Sequence, residues 1–376
     1  VDLAPTAEQQ AIQAAARRFL TAQITRERRM TWDRMPEGHD ADFRQAVGRL
    51  GWLGFALPES AGGHGASLLD LGLLVEEWGR AVAPFGLFAA VAGGLALDAL
   101  GTEAQRREWL PSIARGERLV TLAVAERGAA LVPSAMETRL TRRRDGLRID
   151  GEKRFVLQGV TADAFLVAAR DGAGVSVVLV PRAAAGVAVE STSTFAKDRQ
   201  SSVRLDGVTL PLSALCRQEG VAWEPLERVR AILATLLCAD LVGGGDAVLE
   251  MTVRYVSERE QFGAKLATFQ AVQQMIAVMA IELEGARHVT RQALWRLAHR
   301  RPADREVAIA KAWTGKAYRE ITLLAHQLHG GAGYVVEHEL HRHSLRAKQA
   351  ELLFGSTDEW LEDLAHRLSL SGDECG

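Results

Sequence analysis

Residues 255–263 run Tyr255-Val256-Ser257-Glu258-Arg259-Glu260-Gln261-Phe262-Gly263, and Phe269-Gln270-Ala271-Val272-Gln273 follows them. From Phe269 onward, Val272, Ile276, Met279, Ala280 and Leu283 recur with the helical period and form one stripe of a long helix. The quoted stretch therefore joins two helical segments. An Arg at a helix end can bind a phosphate through its rigid fork, and an aromatic beside it can cover an apolar ring. On chemistry alone a surface Arg and a core Phe are the simpler account, so both readings stay open.

Working outward, the helical period holds from about residue 226 to the end, broken most clearly by Pro302 and by Gly330-Gly331-Ala332-Gly333. That pattern predicts a bundle of long helices over 226–376. Upstream, over 121–225, Val and Thr dominate and polarity alternates, as in 119–124, 163–168 and 175–180. Arg144-Asp145-Gly146, Asp150-Gly151, Asp171-Gly172 and Asp206-Gly207 read as turns between short strands, which predicts an antiparallel sandwich or barrel. No crossover helices interleave, which argues against a Rossmann unit. Residues 1–120 read as helices again. Thr6 with Gln9 forms a capping-box signature ahead of the stripe Ile12, Ala15, Ala16, Phe19 and Leu20. The loop Pro58-Glu59-Ser60-Ala61-Gly62-Gly63-His64-Gly65 has no strand before it and no Lys-Ser/Thr after it, so it reads as a connecting turn rather than a P-loop.

The chain has 376 residues, long enough for two or three domains. Its 48% hydrophobic content excludes wholesale disorder. Lys and Arg (45) nearly balance Asp and Glu (47), which leaves no basic excess for nucleic acid. Cys216, Cys238 and Cys375 are too few and too scattered for a disulfide framework or a cysteine zinc site, and a reducing compartment is the simplest reading. The N-terminal residues carry no apolar signal core. The apolar stretch Ala81 to Leu100 is interrupted by Pro84, Gly86, Gly93, Gly94 and Asp98, so it reads as buried helix and not as a membrane span. The expected location is the cytoplasm.

A second motif, Gln327-Leu328-His329-Gly330-Gly331-Ala332-Gly333-Tyr334, pairs glycines that permit close backbone approach with an amide that can anchor a ligand. Alone it reads equally as a tight interhelical loop. Together and in this order, the two motifs resemble the acyl-CoA dehydrogenase family. So do Gly51-Trp52-Leu53-Gly54, the segment Pro58 to Gly65, Gly151-Glu152-Lys153 and Arg346-Ala347-Lys348. The resemblance spans nearly the whole chain. It implies a mainly α fold with a central β-domain: an N-terminal helical domain (1–120), a middle β-sandwich or barrel (121–225) and a C-terminal four-helix bundle (226–376), enclosing FAD and a CoA thioester. The reaction it implies is α,β-desaturation, in which a carboxylate takes the α-proton while the β-hydride passes to flavin N5. By the same resemblance Arg259, Gln261, Phe262, Gln270, Gln327, Gly330, Gly331 and Thr357 contact the cofactor, and electrons leave to an electron-transfer flavoprotein or another acceptor.

The sequence departs from the family pattern at the chemistry. The family's base is usually a Glu in a Glu-Gly-Thr run, and aligning Phe354-Gly355-Ser356-Thr357 on Thr357 puts Gly355 in its place. In members that carry the base on the first helix of the C-terminal domain, the matching position is Leu233. Asp240, two helical turns after Leu233, is a displaced substitute or a salt-bridged structural residue. In the middle domain Ala125-Glu126-Arg127 stands for a Thr-Glu-Pro strand, and 128–135 (Gly128-Ala129-Ala130-Leu131-Val132-Pro133-Ser134-Ala135) lacks the family's Gly-Ser-Asp. In Arg154-Phe155-Val156-Leu157, Leu157 takes the place of a hydroxyl that bonds the flavin near N5, and its side chain cannot donate.

These losses have a pattern. In the family, the middle domain of one subunit holds the isoalloxazine, while the Arg-x-x-Phe-Gly and Gln-x-x-Gly-Gly contacts come from the neighbouring subunit. This chain keeps the second set and lacks much of the first. The resemblance thus implies the base-less subunit of a heteromeric, α2β2 acyl-CoA dehydrogenase, paired with a homologous catalytic subunit, and by analogy acting on a steroid side-chain CoA ester. A homo-oligomeric flavoenzyme with a relocated base (Asp240 or Glu351), different flavin chemistry, and a ligand-free structural subunit are the alternatives. The run His338-Glu339-Leu340-His341-Arg342-His343 looks like a metal cluster, but it lacks the His-Glu-x-x-His spacing and carries Arg, so no metal is expected.

Overall fold

The computed structural model describes residues 3–128, 132–217 and 220–372; Ala129, Ala130, Leu131 and Cys375 lie outside the described residues. Six helices come first: α1 (Ala7–Gln23), α2 (Arg26–Trp32), α3 (Ala41–Arg49), α4 (Leu68–Arg80), α5 (Gly86–Leu100) and α6 (Glu103–Ala114). The Thr6 hydroxyl accepts from the Gln9 amide and the Gln9 side chain accepts from the Thr6 amide, the expected capping box. Ser67 with Asp70 and Thr102 with Gln105 repeat the device at α4 and α6. On α1, Ala16 and Leu20 are buried whereas Ala15 is exposed. The 58–65 segment is the connecting turn expected, folded back by Gly63 N–H donating to the Pro58 carbonyl and Gly65 N–H to that of Leu57.

Eight strands follow: β1 (Val120–Ala123), β2 (Arg139–Arg143), β3 (Gly146–Leu157), β4 (Ala164–Arg170), β5 (Val175–Pro181), β6 (Val187–Thr192), β7 (Gln200–Leu210) and β8 (Leu215–Cys216). They form one sheet in the order β6-β7-β3-β2-β4-β5-β8, with β1 beside β4. The expected antiparallel arrangement holds for five of the seven strand pairs, and two are parallel. The β2–β3 hairpin intervenes between β1 and β4, which run parallel, and β2 also meets β4 in parallel at Arg139 and Arg170.

Two of the four predicted turns are not turns. Asp150-Gly151 lies inside β3 and Asp206-Gly207 inside β7, at a register shift between these paired strands. The Asp150 carboxylate accepts the Gly207 N–H (2.8 Å), so the two Asp-Gly signals are the halves of one bulge. Gly151 has φ +153°, and a Cβ there would lie 2.5 Å from the Thr138 hydroxyl, so only glycine fits. The other two hold. Arg144-Asp145 closes the β2–β3 hairpin, and Asp171 caps the β4–β5 turn by accepting the N–H groups of Ala173 and Gly174.

The remaining elements are α7 (Trp223–Glu258), a short hairpin of β9 (Glu260–Gln261) and β10 (Ala264–Lys265), then α8 (Gln270–Ala298), α9 (Asp304–His329), α10 (Leu340–Leu352) and α11 (Thr357–Gly372). The stripe on α8 is half-buried at Val272 and Ile276 and fully buried at Met279 and Leu283. The Ala81–Leu100 stretch is the buried helix α5, too short to span a bilayer. Among the described residues the one helix long and apolar enough to do so is α7, with a window of mean hydropathy 1.7 that is 78% buried within the protein. Cys216 and Cys238 are both buried, which pushes each thiol up to about 12 and leaves it unreactive.

The chain packs as two compact units. One comprises 1–24, 67–83 and 231–376; the other comprises 25–66 and 84–230. In the first, Ala234, Cys238, Val307, Ala308 and Trp360 share a core cluster. Its buried Glu76, raised by burial against the opposing pull of Arg291 and Arg287, lies 3.4 Å and 3.8 Å from those guanidinium groups. In the second, the sheet is the core, and every residue of β4 from Ala164 to Ala169 is buried.

Candidate functional site

The two C-terminal motifs meet in the first unit. In the last turn of α7, the Tyr255 ring lies flat on His329 at the end of α9, with centroids 4.3 Å apart, and its hydroxyl donates to the His329 carbonyl (3.4 Å). Arg259 follows one turn after Tyr255, and Gly330-Gly331 follow His329, so this stack brings Arg259 and the glycines to one end of the bundle. The Leu266 N–H donates to the Arg259 carbonyl (2.9 Å) and folds the β9–β10 hairpin back. At its tip Phe262 (φ +57°) and Gly263 (φ +77°) are both left-handed, the turn chemistry that ordinarily selects Asn-Gly.

Phe262 is 93% exposed, which corrects the reading of a core Phe at the helix end, and meets Phe269 only edge-on at 6.3 Å. A large aromatic held in a disfavoured backbone well and left in solvent marks a contact still to be made. Arg259, Gln261, Gln270, Gln327, Gly330 and Gly331 are exposed as well. The Arg259 guanidinium has no hydrogen bond or ion pair among the described residues. A Cβ at Gly330 or Gly331 would meet nothing within 4 Å. An unpaired guanidinium beside open backbone is suited to a phosphorylated ligand; the Gln261 amide donates to the Glu260 carbonyl (2.9 Å). Tyr334 (72% exposed) and Val336 (80%) continue the uncovered apolar surface.

Behind this edge sits a histidine group. His329 is 3% exposed, and neither ring nitrogen has a partner among the described residues. Burial, with His338 and His326 nearby, lowers it to about 4. His338 Nδ1 accepts the Leu340 N–H (3.2 Å), and His341 Nδ1 lies 2.6 Å from the His338 carbonyl. These rings cap and pack the 330–340 segment.

The positions expected to carry a base read differently. Gly355 has φ +109°, and a Cβ built there would lie 2.6 Å from Trp360 Nε1. The Trp360 indole donates to the Phe354 carbonyl (3.2 Å), and Lys311 Nζ donates to the carbonyls of Ala350, Glu351 and Gly355. The Gly355 turn is thus pinned by a buried cation and backed by a buried ring. Leu233 is 1% exposed and apolar. Asp240, also 1% exposed, is held by Arg346 in a two-pronged pair with both distances at 2.8 Å. Both oxygens of Asp240 are thereby engaged by one guanidinium. Glu351 is nearly buried and pairs with Lys348 (3.0 Å). Thr357 opens α11 close to Gly315, its buried hydroxyl without a partner among the described residues; nothing places it with the Arg259 group.

In the second unit, Leu157 is buried, and its carbonyl accepts the Thr121 hydroxyl (2.8 Å). Phe155 is left-handed and 57% exposed. The sequence reading missed the pair that anchors this region. Lys153, 0% exposed, donates to Glu126 (2.6 Å) and to the Val124 carbonyl (3.1 Å). Glu126 also accepts the N–H groups of Glu137 and Thr138. Burial pushes the Glu126 carboxyl up, but these bonds outweigh it and hold it below its usual range. The available signal was a lysine at an inward position of a strand, which demands a buried anion. Trp360 was missed too.

The helical–β–helical build is that of a family of flavin-dependent oxidoreductases. The chain belongs to the acyl-CoA dehydrogenase family. It matches the family's N-terminal domain over residues 6–117, its middle domain over 121–208 and its C-terminal domain over 230–369. It is 30% identical to acyl-CoA dehydrogenase FadE27 of Mycobacterium tuberculosis over 93% of this chain and 94% of that protein. Among solved structures it resembles the ChsE4-ChsE5 complex of Mycobacterium tuberculosis (28% identity, TM-score 0.90, 98% of this chain and 99% of that one). It also resembles a variant of the Tcur3481-Tcur3483 steroid ACAD (32% identity, TM-score 0.88, 97% and 99%). The cofactor is FAD.

Proposed function

We propose that the chain is the base-less subunit of a heteromeric acyl-CoA dehydrogenase, most simply α2β2, that donates FAD contacts to a homologous catalytic subunit. The observation that carries this reading is the closed position at Gly355. A carboxylate side chain there would run into Trp360, and neither Leu233 nor the Arg346-bound Asp240 replaces it. Bound FAD supplies the hydride acceptor; a partner must supply the proton acceptor. The exposed set supports the complementary role. Arg259 would grip the pyrophosphate, and Gln261, Gln270, Gln327 and the Gly330-Gly331 backbone the adenosine end, with Phe262 inserted against the partner. Thr357 would add a contact near the turn at Gly355. The exposed Phe262, Tyr334 and Val336 suit contact with another chain.

Two of the structures it resembles are named as two-chain assemblies, one of them a steroid ACAD. On that basis the substrate is a bulky acyl-CoA, a steroid side-chain ester, the acceptor is an electron-transfer flavoprotein or its equivalent, and the complex works in the cytoplasm in lipid degradation.

The test is flavin per protomer, read from visible absorbance, in the chain purified alone and with a co-expressed homologue carrying the Glu. Little flavin alone, full flavin and acyl-CoA oxidation together, and reduced flavin in the Arg259→Ala complex are expected. Near-stoichiometric flavin with acyl-CoA oxidation in the chain alone would overturn the reading and make it a self-sufficient flavoenzyme.

A further inference from the structure

The stack of Tyr255 on His329 holds more polarity than packing requires. The Arg259 N–H donates to the Tyr255 carbonyl (2.8 Å) and the Gly330 N–H to the His326 carbonyl, so Arg259 and the glycines both hang from the ends of the stacked helices. A phenylalanine at 329 could lie on Tyr255 just as flat. His329 instead buries two ring nitrogens without a partner among the described residues, and His326 buries an Nδ1 without one while its Nε2 meets the Ser344 hydroxyl (2.8 Å). Buried nitrogens left unpaired are costly, and packing alone does not explain them. His338 lies edge-on to His329 with centroids 4.8 Å apart, and His326 faces Tyr334 at 4.6 Å. Gly333 is wedged between the two α9 rings, where a Cβ would lie 3.0 Å from His329 Cβ and 3.3 Å from His326 Nδ1. The groups facing these rings are Tyr255 from α7, Tyr334, His338 and Glu339 from the 330–340 segment, and His341 from α10. Glu339 is the one carboxylate among them, and Arg342 shares it (3.8 Å). Protons added to this histidine group therefore meet mostly other histidines.

We propose that Tyr255 and His329 are positioning residues for the flavin contact: their stack sets the reach between the Arg259 guanidinium and the Gly330-Gly331 backbone, and the 330–340 segment lets go when the histidine group takes up protons. This rests on the flavin contacts proposed above for Arg259 and the glycines. Burial, with its histidine neighbours, holds His329 at about 4, against 6.5 once the segment opens, so between these values the open form binds more protons. The stack is fully held above pH 6.5 and is lost as pH falls through 4. His329 alone shifts the opening equilibrium by about 20-fold between pH 7 and pH 5. His326 and His338, both lowered by burial, push the same way.

The experiment has two readouts. Hydrogen exchange by mass spectrometry on the full chain, corrected for the intrinsic pH dependence of exchange, follows the opening of 330–340 from pH 7 to pH 5. Visible absorbance follows flavin retained by the chain assembled with its Glu-bearing homologue. Protection of 330–340 is expected to fall by about 20-fold or more in the wild type, while β4 keeps its own. His329→Phe keeps a ring on Tyr255 without a titratable nitrogen and should remove most of that fall. In the assembled complex at pH 7, His329→Ala should weaken flavin retention by about tenfold or more. His329→Phe should restore it and should release less flavin at pH 5 than the wild type. No fall in the wild type, or an equal fall in His329→Phe, would refute the proton-released latch. Flavin untouched by His329→Ala in a complex that does lose it with Arg259→Ala would refute the positioning role and leave the cross-subunit contacts standing. Flavin untouched by both would overturn those contacts and this inference with them.

Discussion

Gly355→Ala is the sharpest test of how the turn before α11 is built. Two separable costs follow from the geometry. A non-glycine residue at φ +109° adds about 1–2 kcal/mol of backbone strain. The new Cβ would lie 2.6 Å from Trp360 Nε1 and 3.2 Å from its Cδ1, with the ring itself 4% exposed and bonded to the Phe354 carbonyl. Displacing a ring from a packed core adds about 1–3 kcal/mol. The sum, about 2–5 kcal/mol, is to be read as the shift in urea unfolding of this chain. Trp360→Phe removes the clashing nitrogen, so Gly355→Ala made in that background should cost less by the steric share alone, a coupling of about 1–3 kcal/mol. The backbone share should persist. Gly355→Ala within about 0.5 kcal/mol of wild type would refute the account of a sterically closed position. Gly355→Glu should be at least as destabilising and, without a partner, should turn over no acyl-CoA.

Three other outcomes follow. Asp240→Asn leaves Arg346 buried without its carboxylate and should cost about 3–5 kcal/mol in denaturant titration; intact stability with abolished turnover would instead make Asp240 the base. Lys153→Met should destabilise by about 3 kcal/mol through the stranded Glu126 charge, and Glu126→Gln added to it should restore part of that, because it removes the charge but leaves one acceptor oxygen for the two N–H groups of residues 137 and 138. His329 sits at about 4 in the folded chain against about 6.5 unfolded, so the unfolded state binds more protons between these values. Its contribution is full above pH 6.5 and is lost as pH falls through 4, up to about 3 kcal/mol. A His329→Phe chain should lack that part of the slope in midpoint-against-pH curves, and an unchanged slope would refute it.

Features that depend on one local pattern were legible in the sequence. The Thr6–Gln9 box, the α8 stripe and the Asp171 turn each need only neighbours in the chain, and each formed. The two Asp-Gly pairs misled because a hairpin turn and a β-bulge ask for the same glycine; only the pairing partner distinguishes them, and Gly207 finds Asp150 across the sheet. The same limit governs the site. Gly355 is visible as a missing carboxylate, but its confinement depends on Trp360. Asp240 is ambiguous until Arg346, over a hundred residues later, is seen to grip it. Phe262 looked like core because aromatic residues at helix ends usually are, and only the hairpin reverses its direction.

Glu76 shows what a discontinuous unit asks of a growing chain. Its helix, α4, can pack early against α1, but the guanidinium groups that hold Glu76 come from α8, Arg291 lying 215 residues further on. At cellular synthesis rates that interval is roughly 10–40 s. Meanwhile the face bearing Leu71, Leu74, Val75 and Trp78, all buried in the finished unit, has no permanent cover. Until α8 is made, that face is the kind of exposed apolar surface that makes a partly folded chain prone to aggregate. The carboxylate that is costly to bury at the end is, until then, one of the few charges that interrupt an otherwise sticky surface.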